Sequence, residues 1–310
     1  VIGVCGFDYH FADFSNYRES AFVKKMKSMF YDANLSTVFS DTWMNILFAS
    51  HFRRQSSIKV MNGLVDDVIQ KRLIDPAAHR DKRDFLSLML DGADKKDGSK
   101  LDQENIRHQL ITFLAAGYET TAALLGFCFY YLIKYPEVAH KARASVDAVF
   151  ANKAGDHLTF KDISGLGYLK MVTHEALRLW PTASGFFLGP KAKTIVDGQY
   201  EVTPDDVFFV SLPGIHRDPA VWGEGADTFD PEHFSPQRVK QTPRNAFKPF
   251  GNGVRACIGR HFAITEVIVI LAHALRAFDF IDYADYQLSV DESVTLKVKN
   301  FSMKVKPRKV

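Results

Sequence analysis

The stretch FGNGVRACIG at 250–259 decides how the rest of the sequence is interpreted. It places Cys257 between glycines, two residues after Arg255 and directly before an amphipathic segment that predicts a helix over about 258–278. A helix N-terminus and a nearby cation both favour the thiolate form of a cysteine. Gly259, like the glycines before the cysteine, lets the chain and a flat cofactor approach closely. The pattern indicates that Cys257 is a nucleophile or a soft metal ligand, and a buried structural cysteine is the alternative.

A long helix is predicted upstream of this stretch. Apolar residues recur at steps of three and four from Ile106 to Leu132, Asp102 is a candidate N-cap, and Pro136 ends the pattern. About thirty helical residues span about 45 Å, which is enough to cross a domain. The middle of the helix reads AAGYETTAA at 115–123, which is polar where a core helix should be apolar. Such a break in the local pattern tends to mark a functional site.

The spacing of apolar residues and turn signals in the rest of the sequence predicts one continuous, mostly helical domain with small sheets. A Pro-, Gly- and Asp-rich stretch at 213–249 is too long for a simple loop and predicts a functional or tightly packed segment. Further helices are predicted at 41–52, 58–73, about 137–150 and 167–180, strands at 194–202 and 207–212, and a hairpin from Leu288 onward.

Composition excludes several classes of protein. Of the 310 residues, 46% are hydrophobic and 24% are charged, which argues against intrinsic disorder, and the net charge of +3 gives no reason to expect nucleic acid. Three cysteines, Cys5, Cys128 and Cys257, argue against a secreted disulfide scaffold. Without an uninterrupted apolar run of about 18 residues, no transmembrane segment is predicted, and we expect a cytoplasmic protein. Because the chain begins at Val1 without a signal-like start, we also expect a fragment.

Four motifs in order resemble the cytochrome P450 family. The stretch at 250–259 fits its F-x-x-G-x-R-x-C-x-G signature, and AGYETT at 116–121 resembles its oxygen-activation motif. EALR at 175–178 resembles its E-x-x-R motif, and PEHF at 231–234 resembles its P-E-R-F motif, with His233 in place of the arginine. The resemblance implies the mostly α cytochrome P450 fold over 1–310 as a single haem domain, and it leaves the third member of the E-x-x-R network in doubt.

The resemblance is closest to one branch of that family. LRLWPTASGF, IHRDPAVWG and FKPFGNGVRACIGRHFA are similar to the haem domains of bacterial and fungal self-sufficient fatty-acid hydroxylases, which are fused to an NADPH–cytochrome P450 reductase. By this comparison we expect the chain to be the C-terminal two thirds of such a haem domain, truncated at its N-terminus.

The family's functional residues carry over motif by motif. Cys257 would be the axial thiolate ligand of the iron of haem b (heme b), and Arg255 would pair with a haem propionate. Thr120 would take part in dioxygen activation and Glu119 in proton supply. Further predicted contacts fall into three groups: cofactor-binding Phe250, Gly251, Gly259 and Ala116; the structural pair Glu175 and Arg178; and substrate-lining Leu114, Ala115, Ala183, Ser184, Phe186 and Leu296.

The resemblance implies a monooxygenase of the unspecific type. It would insert one oxygen atom of O₂ into an apolar substrate, most consistently a medium- or long-chain fatty acid, with electrons from NADPH through a flavoprotein reductase that carries FAD and FMN. Two alternatives stay open at this point. The chain could be a peroxide-driven hydroxylase or haem-thiolate isomerase, which the Glu119–Thr120 pair disfavours, or a truncated fragment without catalytic activity.

Overall fold

The computed structural model describes residues 1–11, 20–38, 48–75, 81–151, 153, 155–292 and 294–309. At 33–38 and 48–51 it describes the backbone only. These residues form two compact units, Val1–Glu119 and Thr120–Val310. The structure is 56% helical, which confirms the prediction of a mostly α protein with small sheets. Whether 1–310 acts as a single domain stays a prediction.

In the part of it that the structure describes, the first unit contains four helices and the first half of a fifth. Phe22, Ile69, Leu86 and Leu110 are almost completely buried in its core. Arg72, itself buried, pairs with Asp84 at 2.7 Å, and the same carboxylate accepts the Ser87 N–H at the start of a helix. The helices are α1 (Ile2–Phe7), α2 (Ala21–Val38), α3 (Phe48–Ile74), α4 (Phe85–Asp91) and the N-terminal half of α5 (Gln103–Lys134).

The predicted helix at 58–73 lies inside α3, and α5 matches its predicted bounds. The cap of α5 is also confirmed, because the Asp102 carboxylate accepts the Asn105 N–H at 2.7 Å. The first part of the helix predicted at 41–52 falls outside the described residues.

The second unit packs the rest of α5 against several later helices. On α8 the buried residues Leu169, Val172 and Ala176 recur at helical spacing, and on α12 Val267 and Leu271 do the same. Helix α8 carries the motif at 175–178, α12 begins directly after the motif at 250–259, and both helices contribute to one core. The helices are α6 (Pro136–Phe150), α7 (Phe160–Gly165), α8 (Gly167–Leu179), α9 (Leu212–His216), α10 (Pro219–Trp222), α11 (Pro236–Gln241) and α12 (Arg260–Ala277), with 3₁₀ turns at Pro231–Phe234 and Gly253–Arg255.

Among the described residues of the second unit, the strands form four two-stranded antiparallel sheets. The strands predicted within 194–202 are confirmed as β2 and β3, which pair as a hairpin. Its three-residue turn at 197–199 has Asp197 and Gly198 at positive φ. The predicted tail hairpin is β6–β7, but the last strand pairs with β5 instead. The strands are β1 (Gly185–Leu188), β2 (Thr194–Val196), β3 (Tyr200–Val202), β4 (Phe208–Ser211), β5 (Phe278–Ile281), β6 (Val290–Glu292), β7 (Leu296–Val298) and β8 (Lys304–Pro307).

Helix α5 is the one helix in the described part of the chain that is long and apolar enough to cross a membrane by length and composition. Helices that run through a protein core pass the same test. Leu124, Phe127 and Cys128 of α5 are buried in the core of the second unit. The finding is therefore weak evidence for a membrane span.

Candidate functional site

The loop before α12 is closed by its own backbone. The Phe250 carbonyl accepts the N–H of Cys257 at 2.9 Å, so the two ends of the signature meet. Gly251 and Gly253 have φ values of 64° and 68°, in the left-handed region that favours glycine. The glycines of the motif therefore fix the path of this loop, and Cys257 stands at its end, three residues before α12 begins.

The three cysteines sit in different surroundings. Cys128 is fully buried in the core, as expected for its position on the apolar stripe of α5, and burial raises the pKa of its thiol to about 12. Cys5 and Cys257 are both exposed. Of these two, only Cys257 lies in a glycine-bearing loop at the start of a long helix, the setting in which a thiolate ligand is expected.

The surface around Cys257 fits a flat apolar group such as haem. The neighbouring Val254 and Ile258 are 102% and 78% exposed, which is unusual for two branched apolar side chains on one short loop. No group of three His, Cys, Asp or Glu side chains within the described residues could hold a metal ion alone. A porphyrin provides four nitrogens in one plane, so its metal needs few ligands from the protein, and Cys257 can supply one.

The other predicted haem contacts surround this cysteine in the sequence. Phe250 is half-buried against the core of the second unit, and the Arg260 guanidinium lies 5.8 Å from the centre of its ring. Arg255 is exposed at the end of the 3₁₀ turn. Gly259 is the residue before α12, and its carbonyl accepts the Ala263 N–H at 2.8 Å. The shielding and propionate-binding roles of these residues stay predictions.

Glu175 and Arg178 form a fully buried ion pair, with both side chains 0% exposed. The guanidinium donates through Nε and Nη2 to the two carboxylate oxygens at 2.8 and 2.7 Å. Its remaining hydrogens go to the backbone carbonyls of His216, Ala226 and Thr228. Arg178 thus binds three backbone carbonyls of the stretch at 213–249. This is the geometry expected of a structural pair.

His233 occupies the third place in this network. Its Nδ1 lies 3.0 Å from Glu175 Oε1, and the Asp230 N–H donates to the same oxygen at 2.9 Å. The imidazole is 6% exposed, and its ring meets the Trp222 indole edge-on at 5.6 Å. A histidine can donate one N–H to the carboxylate where the family motif has an arginine, so the change in the motif keeps a contact to Glu175.

The predicted oxygen-activation residues lie in the middle of α5. Glu119 and Thr120 are half-buried there, and Ala116 is exposed. Leu114 is 4% exposed in the core of the first unit, and Ala115 packs against that core. The roles of these five residues in oxygen chemistry, cofactor contact and substrate contact stay predictions.

Four predicted substrate-lining residues come together in the second unit. The Leu296 N–H donates to the carbonyl of Thr182 at 2.9 Å, which places β7 beside the segment that carries Ala183, Ser184 and Phe186. Ser184 and Phe186 are half-buried and Ala183 is exposed, whereas Leu296 is 7% exposed within the core cluster. The structure groups these residues, and their contact with substrate stays a prediction.

Sequence reasoning missed two residues that build this region. Trp222 lies under the Arg178 guanidinium, whose central carbon is 5.0 Å from the ring centroid. His216 is completely buried and accepts a backbone hydrogen bond near the start of the cysteine loop. Both belong to IHRDPAVWG, and a histidine and a tryptophan within such a polar stretch were the available signal.

A cleft of about 570 Å³ opens beside α8 and the start of α12. Its lining combines aromatic side chains with basic ones. His174 packs edge-on against Phe234 at 5.2 Å within the cleft, and burial together with the nearby cations lowers its pKa to about 4. The lining includes Lys170, Met171, His174, Phe247, Arg244 and Arg260 and, among the residues that the structure describes, no acidic side chain.

Comparisons with known proteins agree with the motifs. The model of the family described as cytochrome P450 matches residues 1–305. The chain is similar to a bifunctional cytochrome P450/NADPH–P450 reductase of Bacillus subtilis strain 168, with 39% identity over 99% of this chain and 28% of that protein. A bifunctional enzyme of the same description from Alternaria alternata is 36% identical over 99% of this chain and 28% of that protein. A self-sufficient cytochrome P450 monooxygenase of Phanerodontia chrysosporium is 37% identical over 99% of this chain and 29% of that protein.

The chain thus spans less than a third of the length of each of these relatives. The resemblance drawn from the four motifs is confirmed, and so is its direction toward fusions with a reductase.

Proposed function

Since the chain belongs to the cytochrome P450 family, we propose that it forms the haem-binding part of a monooxygenase that inserts one oxygen atom of O₂ into an apolar substrate. The observation that carries this proposal is the exposed Cys257 thiol, held in a loop closed by the Phe250 carbonyl and flanked by exposed Val254 and Ile258. A bound haem supplies the redox chemistry with dioxygen, and the protein supplies the ligand, the orientation and the dry surroundings.

In this proposal each residue of the loop has one task. Cys257 binds the iron as a thiolate, and Phe250 keeps water from the sulfur on the side of the protein core. Arg255, exposed on its 3₁₀ turn, pairs with a carboxylate of the cofactor. Gly251 and Gly259 keep the backbone free of side chains where a flat group approaches.

Glu119 and Thr120 deliver protons to the site in the proposed reaction. A hydroxyl within a helix either bonds back to a carbonyl four residues earlier or turns toward a neighbouring polar group. The Thr120 hydroxyl can therefore hold a proton donor in place, and the adjacent Glu119 carboxyl can pass protons inward from solvent. Both side chains are half-buried, which suits groups that connect an interior site to water.

The proposed substrate is a medium- or long-chain fatty acid. Its support is the resemblance of the sequence motifs to self-sufficient fatty-acid hydroxylases and the small or apolar character of Ala183, Phe186 and Leu296. We propose electrons from NADPH through a reductase with FAD and FMN, and the names of two relatives, as bifunctional cytochrome P450/NADPH–P450 reductases, support the NADPH-dependent reductase. A cytoplasmic location fits this electron source.

Beside α12, the basic cleft supports the proposed reductase as partner. Lys170, Arg244 and Arg260 give its described lining a positive charge, so it would attract an acidic protein surface. Lys170→Glu should slow reduction by a flavoprotein reductase at low salt by about tenfold, with a smaller effect at high salt. Lys193→Glu, at an exposed lysine just before β2, serves as the control. An unchanged rate in Lys170→Glu would remove this cleft from the proposal.

The test of the proposed function is the reduced, carbon-monoxide-bound difference spectrum of the chain expressed with haem supplied. A long-wavelength Soret band is expected for the unchanged chain, and Cys257→Ser should lose it because the thiolate is gone. Cys5→Ser, at the other exposed cysteine, should keep the band. Retention of the band in Cys257→Ser would overturn the assignment, and no haem uptake by the unchanged chain would favour a fragment without activity.

Turnover with peroxide alone separates the proposed monooxygenase from a peroxide-driven hydroxylase or a haem-thiolate isomerase. A peroxide-driven hydroxylase turns over with peroxide alone, whereas the proposed enzyme requires NADPH and the reductase. An isomerase requires neither. Product analysis with each electron source separates these cases.

A further inference from the structure

His216 connects the Glu175–Arg178 pair to the start of the cysteine loop. It is the last residue of α9 and is 0% exposed. Its carbonyl accepts Nη1 of Arg178 at 3.0 Å, and its ring Nε2 accepts the backbone N–H of Lys248 at 2.9 Å. The Lys248 carbonyl in turn accepts the Gly251 N–H at 3.0 Å. A continuous series of hydrogen bonds therefore leads from the buried ion pair into the loop.

The ring of His216 can serve as an acceptor only in one protonation state. An imidazole that accepts at Nε2 is neutral and carries its hydrogen on Nδ1. Nδ1 is buried and has no hydrogen-bond partner among the described residues. Burial keeps the ring neutral by lowering its pKa to about 4, and the Arg178 charge acts in the same direction.

Packing holds the same part of the chain from a second side. The His216 ring lies 5.2 Å from the ring of Phe247, and Phe247 meets Phe234 at 4.6 Å. Residue 247 is thus fixed by aromatic contacts and residue 248 by the hydrogen bond. Phe250, which closes the loop on Cys257, follows directly after a proline.

We propose that His216 is a positioning residue: through the Lys248 N–H it sets where Phe250 enters the cysteine loop, and thereby where the Cys257 thiol stands. The effect of His216 on iron binding by Cys257 rests on the proposed function. The hydrogen bond from Lys248 to His216 can be tested without haem. His216 acts through Phe250 and touches no reacting atom.

The experiment compares His216→Leu, which removes the acceptor, with His216→Gln, which offers an amide oxygen in its place. Hydrogen–deuterium exchange of the peptide 248–258 is measured in the chain without haem. We expect exchange in this peptide to be at least tenfold faster in His216→Leu and to be restored in large part in His216→Gln. The hairpin peptide 194–202, whose strands β2 and β3 pair with each other, should exchange at the same rate in all three proteins.

The second readout is the ratio of the long-wavelength to the short-wavelength Soret band with carbon monoxide. His216→Leu should raise the short-wavelength fraction at least threefold, and His216→Gln should lower it again. Unchanged exchange and an unchanged band ratio in His216→Leu would overturn the proposal, as would a glutamine variant no better than the leucine variant. If the unchanged chain gives no long-wavelength band, the proposed function fails, and the exchange result still decides the role of His216.

A further variant covers the case in which His216→Leu does not fold, as judged by circular dichroism. Lys248→Pro deletes the N–H donor of the same hydrogen bond and leaves the buried ring in place. It should reproduce the faster exchange at 250–258 and the raised short-wavelength fraction. Wild-type behaviour of Lys248→Pro in both readouts would overturn the proposal.

Discussion

At the scale of single residues, Arg178 shows why the region before the cysteine loop needs an arginine. A guanidinium has five N–H donors in a fixed plane, and here all five have acceptors: two carboxylate oxygens of Glu175 and three backbone carbonyls. A lysine has three donors and no planar geometry, so it cannot hold the same five groups. The carbonyls come from residues 38 to 50 positions further along the chain.

The charge of Glu175 compensates this buried cation, so Glu175→Gln should destabilise the protein strongly. Removing one partner of a buried ion pair costs about 3–5 kcal/mol, because the other charge stays buried. Glu232→Gln is the matched control, since Glu232 is about half exposed and faces Lys141 at 3.6 Å. Urea unfolding followed by circular dichroism measures both, and equal midpoints for the two variants would contradict the prediction.

Thr120 carries a prediction about the reaction itself. Thr120→Ala should slow product formation by about 10²-fold while NADPH consumption continues, because a positioned proton-transfer group is lost. Thr112→Ala removes another hydroxyl of α5, one that is exposed and bonded to the His108 carbonyl, and should behave like the unchanged protein. Parallel assays of product and NADPH give the ratio. Unchanged coupling in Thr120→Ala would count against its proposed role.

At the scale of elements, the conformation of the cysteine loop depends on two left-handed glycines. Gly253→Ala places a Cβ at φ 68°, and although nothing lies within 4 Å of it, the backbone strain should cost about 1–2 kcal/mol. Gly167→Ala, at the first residue of α8, also meets open space but has no positive φ and should be neutral or slightly stabilising. Urea unfolding of the two variants compares these costs. A loss of stability in Gly167→Ala equal to that in Gly253→Ala would show that strain is not the cause.

The same scale shows what the sequence can predict. Elements that a local spacing encodes were predictable: α5 with its Asp102 cap, α8 ending before Pro181, and the strands on either side of Asp197 and Gly198. Pairings between distant segments were not, because no local pattern encodes them. Examples are β1 against β4 and β5 against β8, whose members lie about 20 residues or more apart.

The residues of the candidate site likewise fall into those that local sequence predicts and those that depend on contacts between distant segments. Cys257 and the Glu175–Arg178 pair are written in short motifs and can be recognised in the amino-acid sequence alone. The contacts of His233, Trp222 and His216 depend on how 213–249 folds back onto α8. That stretch contains little periodic pattern, so its partners become visible only in three dimensions.

At the scale of the whole molecule, two buried histidines couple stability to pH. Burial lowers the pKa of both His174 and His216 to about 4, whereas an unfolded histidine titrates near 6.5. Between these values the unfolded chain binds more protons than the folded one, so stability falls as the pH is lowered from about 6.5 to about 4 and their contribution is constant below that. Each histidine should account for at most about 3 kcal/mol over this window.

His174→Phe separates this effect from general acid sensitivity. The variant keeps an aromatic ring beside Phe234 and Phe247 but cannot titrate, so its unfolding temperature should fall less steeply between pH 6.5 and pH 4 than that of the unchanged chain. The exposed His261 offers the control, because His261→Phe leaves both buried rings in place and should keep the original slope. Calorimetric scans at half-unit pH steps give the slopes. If His174→Phe and the unchanged chain lose stability at the same rate, the acid sensitivity arises from other groups, and the buried ring of His174 does not link folding to pH.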